Sequence, residues 1–322
     1  MKKSLVFTFV IAAFITSAVR AEHFPSRPIT LIVPVAAGGP TDTIARIVAD
    51  RMKQTLDQPV VVENITGAAG NIGVAHVAHA NPDGYTIGIG LSSTHVMNGA
   101  IYKLSYDVLK DFAPIALLTT SPHLIVSKNA LPAKDLKELV AWLRANSGKV
   151  LEGTAGAGSP PHIAGIYLEK ATGANFQFVP YRGGAPIMQA LLAGEVDISI
   201  PQAFAVHLVH AGKIKAYAVM GPKRLKAAPE IPTVDEAGLP KLYFSTWHGL
   251  WAPKNTPKEA IAKLNAAVVD ALNDPLVRKR LADLQQQVFS PDMQTPEALS
   301  AFQKAEIEKW WPIIKAANIK VQ

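Results

Sequence analysis

The chain has no cysteine. That excludes a disulfide framework and a lipid-anchor cysteine, so core packing alone must hold the fold. After residue 18 it has no apolar run of membrane-spanning length. Acidic residues fall short of basic ones, 25 against 32, but the excess is scattered. The densest basic patches, Lys213/Lys215 and Lys223/Arg224/Lys226, are short and carry no interleaved aromatics. No nucleic-acid partner is expected.

Catalytic and cofactor signatures are missing as well. Gly156 and Gly158 begin a dinucleotide fingerprint, but its third glycine position holds Pro161. Ser92 follows Gly90 as a hydrolase elbow would, but Thr94 stands where that motif needs glycine. There is no Walker lysine pattern. The histidine pairs His76/His79 and His207/His210 share helix faces, yet neither has a nearby acidic or cysteine partner. The expectation is therefore no metal, no cofactor, no nucleophile–base arrangement and no enzymatic activity.

What is present begins with an export signal. Lys2 and Lys3 precede a mostly apolar stretch over 5–18, and Val19-Arg20-Ala21 places small residues at the cleavage positions. This reads as a signal peptide over 1–21 rather than an uncleaved anchor, with the mature chain starting near Glu22 in the periplasm. Losing Lys2, Lys3 and Arg20 lowers the formal net charge from +7 to +4. A modest positive field of this kind helps attract an acidic solute.

Strand-like and helix-like runs then alternate. Strands are expected at 29–33, 60–63, 85–89, 124–126, 150–153, 176–179, 196–200 and 215–220. Helices are expected from 40, through 80, and over 136–146, 160–172, 185–193, 260–272, 275–284 and 296–316. The alternation predicts α/β architecture with mostly parallel sheets in two lobes. One lobe comprises 22–126 plus 250–322, and the inserted lobe comprises 127–249.

Two strand-to-helix turns stand out. Pro34-Val35-Ala36-Ala37-Gly38-Gly39-Pro40-Thr41-Asp42 makes Gly39 an N-cap and Pro40 the first helical residue. Asp42, at the third helical position, can bond backward to the turn and fix its shape. In Gly156-Ala157-Gly158-Ser159-Pro160-Pro161-His162, Ser159 fits an N-cap and His162 falls in the first turn. There a helix dipole disfavours imidazolium, so His162 should be neutral and serve as a hydrogen-bond partner. Each turn points free N–H groups outward and forms an anion cradle. One acid gripped from both sides of a cleft fits the pair. Ser92, Ser93 and Thr94 end a strand and offer hydroxyls to a carboxylate, or cap the next helix. Trp247, His248 and Phe204 either wall a cleft or simply pack.

An ordered set of segments resembles the receptors of tripartite tricarboxylate transporters, the Bug family. It comprises Arg27-Pro28-Ile29, Pro34 through Asp42 with Ala45-Arg46, Val62-Glu63-Asn64 and Gly67-Ala68-Ala69-Gly70-Asn71-Ile72-Gly73. Next come Asn81-Pro82-Asp83-Gly84-Tyr85-Thr86, Asp111-Phe112-Ala113-Pro114-Ile115 and Gly158-Ser159 with His162. Val179-Pro180-Tyr181-Arg182-Gly183, Gly194-Glu195-Val196-Asp197 and Trp247-His248-Gly249-Leu250-Trp251-Ala252-Pro253 complete it. The resemblance implies a type II periplasmic binding protein, a Venus flytrap, that acts as a monomer. It implies a small carboxylate held by backbone amides, hydroxyls and waters, and delivery to one large and one small integral membrane subunit. An extracytoplasmic sensing subunit is the alternative.

Carried onto this chain, the first contact loop is Val35, Ala36, Ala37, Gly38, Gly39, Thr41 and Asp42. The second is Gly158, Ser159 and His162, and the third is Ser92, Ser93 and Thr94. Tyr181, Gly184, Pro201 and Phe204 fall on the second lobe's rim. The chain departs from the family at Val35-Ala36-Ala37, where a phenylalanine and prolines are common, at the extra Pro161, and at Arg182 in place of lysine. Small residues in the first loop leave room for a bulkier ligand and tilt the expectation toward an aromatic acid over an aliphatic one.

Overall fold

The computed structural model describes residues 24–319, so the expected signal peptide lies outside the described residues. The chain opens with β1 (Ile29–Val33), α1 (Pro40–Leu56), β2 (Val60–Asn64), α2 (Asn71–Ala78), β3 (Thr86–Leu91) and α3 (Asn98–Ile101). A single π-helical turn over Ser93–Met97 joins β3 to α3. β4 (Phe112–Pro122) and β5 (Leu124–Lys128) follow, then α4 (Leu136–Ala145), β6 (Val150–Thr154), α5 (Pro160–Thr172), β7 (Phe176–Pro180) and α6 (Gly184–Ala193). Next come β8 (Ile198–Ser199), α7 (Val206–His210), β9 (Ile214–Val219) and β10 (Ser245–Pro253). α8 (Lys258–Asn273), α9 (Pro275–Asp283), β11 (Gln287–Val288) and α10 (Pro296–Ala316) end the fold.

The strands form two sheets. The first has the order β11-β4-β10-β3-β1-β2, and the second β7-β6-β8-β5-β9. β1 runs parallel to β2 and β3, and β6 parallel to β7 and β8. Antiparallel pairs involve the strands next to the crossings: β10 with β3 and β4, and β5 with β8 and β9. Both sheets are therefore mixed and flanked by helices, which gives the two-lobed α/β architecture.

The helical period explains the packing. Ile44, Ile47, Val48 and Met52 place one face of α1 in the first lobe's core, beside Leu264, Val268 and Leu272 of α8. Each such fully buried side chain contributes about 1.5–3 kcal/mol. In the second lobe Leu139 and Leu143 of α4 and Ile163 and Leu168 of α5 pack on Val150, Phe176 and Ile198. α10 reaches across: Trp311 Nε1 donates to Val96 O, while Trp310 meets the Tyr167 ring of α5 edge-on.

The chain crosses between sheets twice. His123 alone separates β4 from β5, and residues 220–244 carry the chain back. The crossings bond to each other through His123 N to Phe244 O and Met220 N to His123 O, and Phe244 N to Met220 O joins the two ends of the return segment. The His123 ring ties them further. Its Nδ1–H donates to Ile200 O at 2.7 Å, so Nε2 accepts from Thr246 Oγ1 at 3.0 Å.

Three strands are absent from the sequence expectation: β4, β10 and the two-residue β11. Pro114 in β4 breaks a strand-like pattern, because proline lacks the ladder donor. The sheet tolerates it at a register shift between Leu250 and Trp251, where Pro114 lies opposite Trp251. The expected strand over 196–200 shrinks to Ile198–Ser199. Its flanks keep the same register against β5: Asp197 O accepts from Lys128 N, and Pro201 O accepts from Leu124 N.

Candidate functional site

The first turn leaves β1 at Val33 and enters α1 through Gly39, which is extended at φ −80° and ψ 171°. Val35 is half-buried, while Ala36, Ala37 and Gly38 are exposed. Asp42 is buried and reaches back as its helix position suggests. Its Oδ2 accepts from Gly38 N at 2.9 Å and from Arg46 Nε at 3.0 Å, and its Oδ1 accepts from Asn64 Nδ2 at 3.0 Å. Asn64 Nδ2 also donates to Val35 O. The Arg46 hydrogen bond is the main cause holding the Asp42 carboxyl down at about 2, against the opposing effect of burial. Both Asp42 oxygens are thus engaged inside the turn.

Thr41 is buried and belongs to a hydrogen-bonded chain that crosses the first lobe. Thr119 Oγ1 donates to Gln286 Oε1 at 3.1 Å, so it has no second proton and must accept from His248 Nδ1–H at 3.2 Å. His248 Nε2 then carries only a lone pair and accepts from Thr41 Oγ1 at 3.1 Å. Burial pushes His248 down to about 3, which keeps it neutral. The Thr41 proton is spent on this chain.

In the second turn Ser159 occupies the N-cap, extended at φ −66° and ψ 156°, but its side chain makes no capping bond. An N-cap oxygen normally accepts from the second or third helical N–H, and Pro161 removes the former. Ser159 Oγ is enclosed without a hydrogen-bond partner among the described residues, as is Ser92 Oγ. His162 Nδ1 accepts from Gly158 N at 2.9 Å, and the ring meets Phe178 edge-on at 4.4 Å. Burial lowers the His162 pKa, in keeping with a neutral ring.

Of the three hydroxyls after β3, only Ser93 reaches the surface. Thr94 Oγ1 accepts from Leu91 N and lies 3.0 Å from His95 Nδ1, so its contacts are internal. Tyr181 is half-buried and Gly184 exposed on the second lobe's rim. Pro201 is buried at the crossing. Phe204 lines a cavity of about 440 Å³ with Gln202 and His207 of its own lobe and Pro40 and Gln286 of the other. Trp247 does not wall a cleft. It is buried against Phe302 and donates to Glu306. His207 donates to Phe204 O, and His210 pairs with Glu230. Among the described residues no group of three or more His, Cys, Asp or Glu could hold a metal ion.

The two turns belong to different sheets, the first following β1 and the second β6. Gly158 approaches α3 so closely that a Cβ there would lie 2.9 Å from Ile101 Cδ1. Residues that shape the site and escaped the candidate set are Asn64, Arg46, Thr119 and Gln286, and His248, expected only to wall a cleft or pack, links Thr41 to Thr119. Their partners lie 4 to 207 residues away in the chain, so no local pattern marks most of them.

A family model described as the tripartite tricarboxylate transporter family receptor matches residues 44–319. BugT of Bordetella pertussis is 32% identical over 317 residues, covering 98% of this chain and 96% of its own. The MatC protein of Rhodopseudomonas palustris, solved with bound malate, is 40% identical with a TM-score of 0.81, over 90% of this chain and 100% of its own. A further R. palustris protein, solved with adipate, is 31% identical with a TM-score of 0.81, over 92% and 99%. The periplasmic binding protein BugD superposes with a TM-score of 0.81 at 38% identity, over 93% and 100%.

Proposed function

Because the chain belongs to the tripartite tricarboxylate transporter receptor family, we propose that it is an exported solute-binding protein for a small mono- or dicarboxylate. It would grip the acid between its lobes and present it to one large and one small integral membrane subunit. The observation that carries this is the pair of helix N-terminal turns on opposite lobes, with Gly158 packed against Ile101 across the cleft. Helix N-termini favour anions through their unpaired N–H groups and dipole.

We divide the lobes at the two crossings, 24–122 with 245–319 against 124–219. His123 and the segment ends at Met220 and Phe244 act as pivots, in the manner of hinge closure. Closure removes the carboxylate from water and strengthens each of its hydrogen bonds. In the first turn Gly38 N is engaged by Asp42 and Pro40 has no N–H. Ala36, Ala37 and Gly39, with Thr41 and Asp42 in the first helical turn, are therefore the backbone donors this terminus can present. Ser92 and Ser159 hydroxyls, which lack protein partners, add donors to the ligand or to a bridging water. In this arrangement the Asp42 and Thr41 side chains shape the site and do not touch the acid.

The malate and adipate held by relatives put aliphatic dicarboxylates first in a ligand panel, and the small Ala36-Ala37 pair keeps aromatic acids in it. Native mass spectrometry of the purified protein should show a co-purified acid, and calorimetry should show heat with at least one member of the panel. An absence of binding across a broad set of mono-, di- and aromatic carboxylates would refute the proposal. Pull-down from membranes should recover the transporter subunits; recovery of a signalling protein instead would favour the sensing role.

A further inference from the structure

The two turns share a construction that their sequences hide. In each, a glycine at positive φ (Gly38 at +83°, Gly158 at +76°) precedes an extended N-cap and a proline at the first helical position. In each, the third helical side chain turns back and accepts the N–H of that glycine, four residues earlier, at 2.9 Å. The acceptor is the Asp42 carboxylate in one lobe and the His162 imidazole in the other.

We propose that Asp42 and His162 are matched positioning residues, each latching one cradle, and that the His162 latch opens when its imidazole takes up a proton. The geometry fixes the sign. Gly158 N–H can donate only to an Nδ1 that carries no proton, and imidazolium carries a proton on both nitrogens. Protonation therefore sets N–H against N–H and releases Gly158 from its place against Ile101. The Asp42 latch has no such weakness, because Arg46 and Asn64 hold its carboxylate from the other side.

The groups around His162 are few. Its own helix supplies Glu169 and Lys170, which line the same 600 Å³ cavity as the ring. β6 supplies Glu152, packed against Gly165 one turn along α5. β7 supplies Phe178, α10 supplies Ile313 and Ala316, and the chain just after it supplies Ala317 and Ile319, none of them titratable. Glu169 accepts from Phe176 N. Burial holds the imidazole below its ordinary 6.5, so the latch is closed at neutral pH and opens as pH falls below that value. A bound carboxylate depends on the second cradle, so its affinity should weaken by up to tenfold per pH unit below the His162 pKa.

The test uses the full chain labelled with ¹⁵N-glycine, which needs no ligand. The Gly158 amide should titrate in the wild type below pH 6.5, while the Gly38 amide stays fixed down to pH 4. In H162N the asparagine oxygen can accept the same N–H at every pH, so the Gly158 amide should stop titrating. In H162A amide exchange over residues 156–163 should accelerate at pH 7. A Gly158 amide that ignores pH in the wild type, or that titrates equally in H162N, would overturn the proposal. Calorimetry with malate and adipate at pH 7 and pH 5 extends it to binding. That arm rests on the carboxylate-receptor reading, whereas the amide titration does not, so the two fail separately. Affinity that rises on acidification in the wild type but not in H162N would mean that the imidazolium attracts the acid directly, and would also overturn the latch.

Discussion

Replacing Glu152 with methionine should stabilise the protein, more so as pH rises. Glu152 lies in β6 with 0% exposure, and neither carboxyl oxygen has a hydrogen-bond partner among the described residues. Its strand neighbours are Phe178 and Ile198, and Gly165 of α5 packs over it so tightly that a Cβ would lie 2.0 Å from Oε2. Burial raises its pKa well above the ordinary 4.5, and the charge of Glu169 acts in the same direction. An unpaired buried polar group costs about 1–3 kcal/mol. Methionine keeps the length of the side chain and buries a thioether instead, with a packing misfit below about 1.5 kcal/mol. The net gain is about 1 kcal/mol where the acid is neutral. Above pH 4.5 the unfolded chain gives up this proton before the folded one does. Stability therefore falls as pH rises toward the folded pKa, by up to about 1.4 kcal/mol per pH unit. The methionine variant lacks that slope. With Tm moving about 2–4 °C per kcal/mol, scanning calorimetry from pH 4 to 8 should show the E152M advantage growing from a few degrees upward. A variant that melts at or below the wild type at pH 8 would refute the reasoning, because the carboxyl would then have a stabilising partner.

Thr41→Val should leave His248 Nε2 buried without a donor, and cost about 1–3 kcal/mol in chemical denaturation; an unchanged midpoint would contradict the direction assigned to that chain. For Asp42 the folded pKa lies at about 2, below the ordinary 3.8. Its contribution is therefore complete above pH 3.8 and is lost as pH falls through about 2. Asp42→Asn should flatten that segment of the acid-unfolding curve, which a pH-dependent denaturation series would measure. Gly158→Ala should destabilise by about 1–2 kcal/mol, because its φ of +76° disfavours a side chain. A cycle with Ile101→Ala should recover only the part due to the 2.9 Å contact.

Local patterns in the sequence carried the elements that depend on local chemistry. The helices at Pro160–Thr172 and Pro296–Ala316 end where expected, since proline at the first position and apolar spacing are written in the chain itself. The backward reach of Asp42 was legible for the same reason, since it follows from position within a first helical turn. Neutrality of His162 was expected from the helix dipole, whereas burial is what lowers its pKa. β4 and β10 were not legible. They lie at the centre of a mixed sheet, and their pairing with each other across register shifts decides their conformation. Nor was the chain from Thr41 through His248 and Thr119 to Gln286, whose members meet only after the sheet has formed. Ser159 shows the limit in one residue. The type and place of an N-cap were evident, but the hydroxyl makes no capping bond although the third helical N–H is present.

Following each proton narrows how such a site can choose its ligand. Gly38 and Gly158 give their N–H groups to the latches, and Thr41 gives its hydroxyl proton to His248. Asp42 is already neutralised by Arg46, and neither cradle contains a lysine. The donors that remain are backbone amides, serine hydroxyls and the Nε2–H that His162 must carry while its Nδ1 accepts from Gly158. Such donors satisfy any carboxylate and say little about what is attached to it. Discrimination must then come from shape, and the exposed Ala36-Ala37 pair is where shape can change without disturbing a latch. Ala37→Leu should therefore weaken bulky acids more than short ones in a calorimetric panel, by about 1–3 kcal/mol if the added side chain overpacks the cleft. It should leave the pH dependence of binding as it is in the wild type. Equal weakening of short and bulky acids would place selectivity elsewhere, with the 440 Å³ recess at Phe204 and Gln286 the next position to vary.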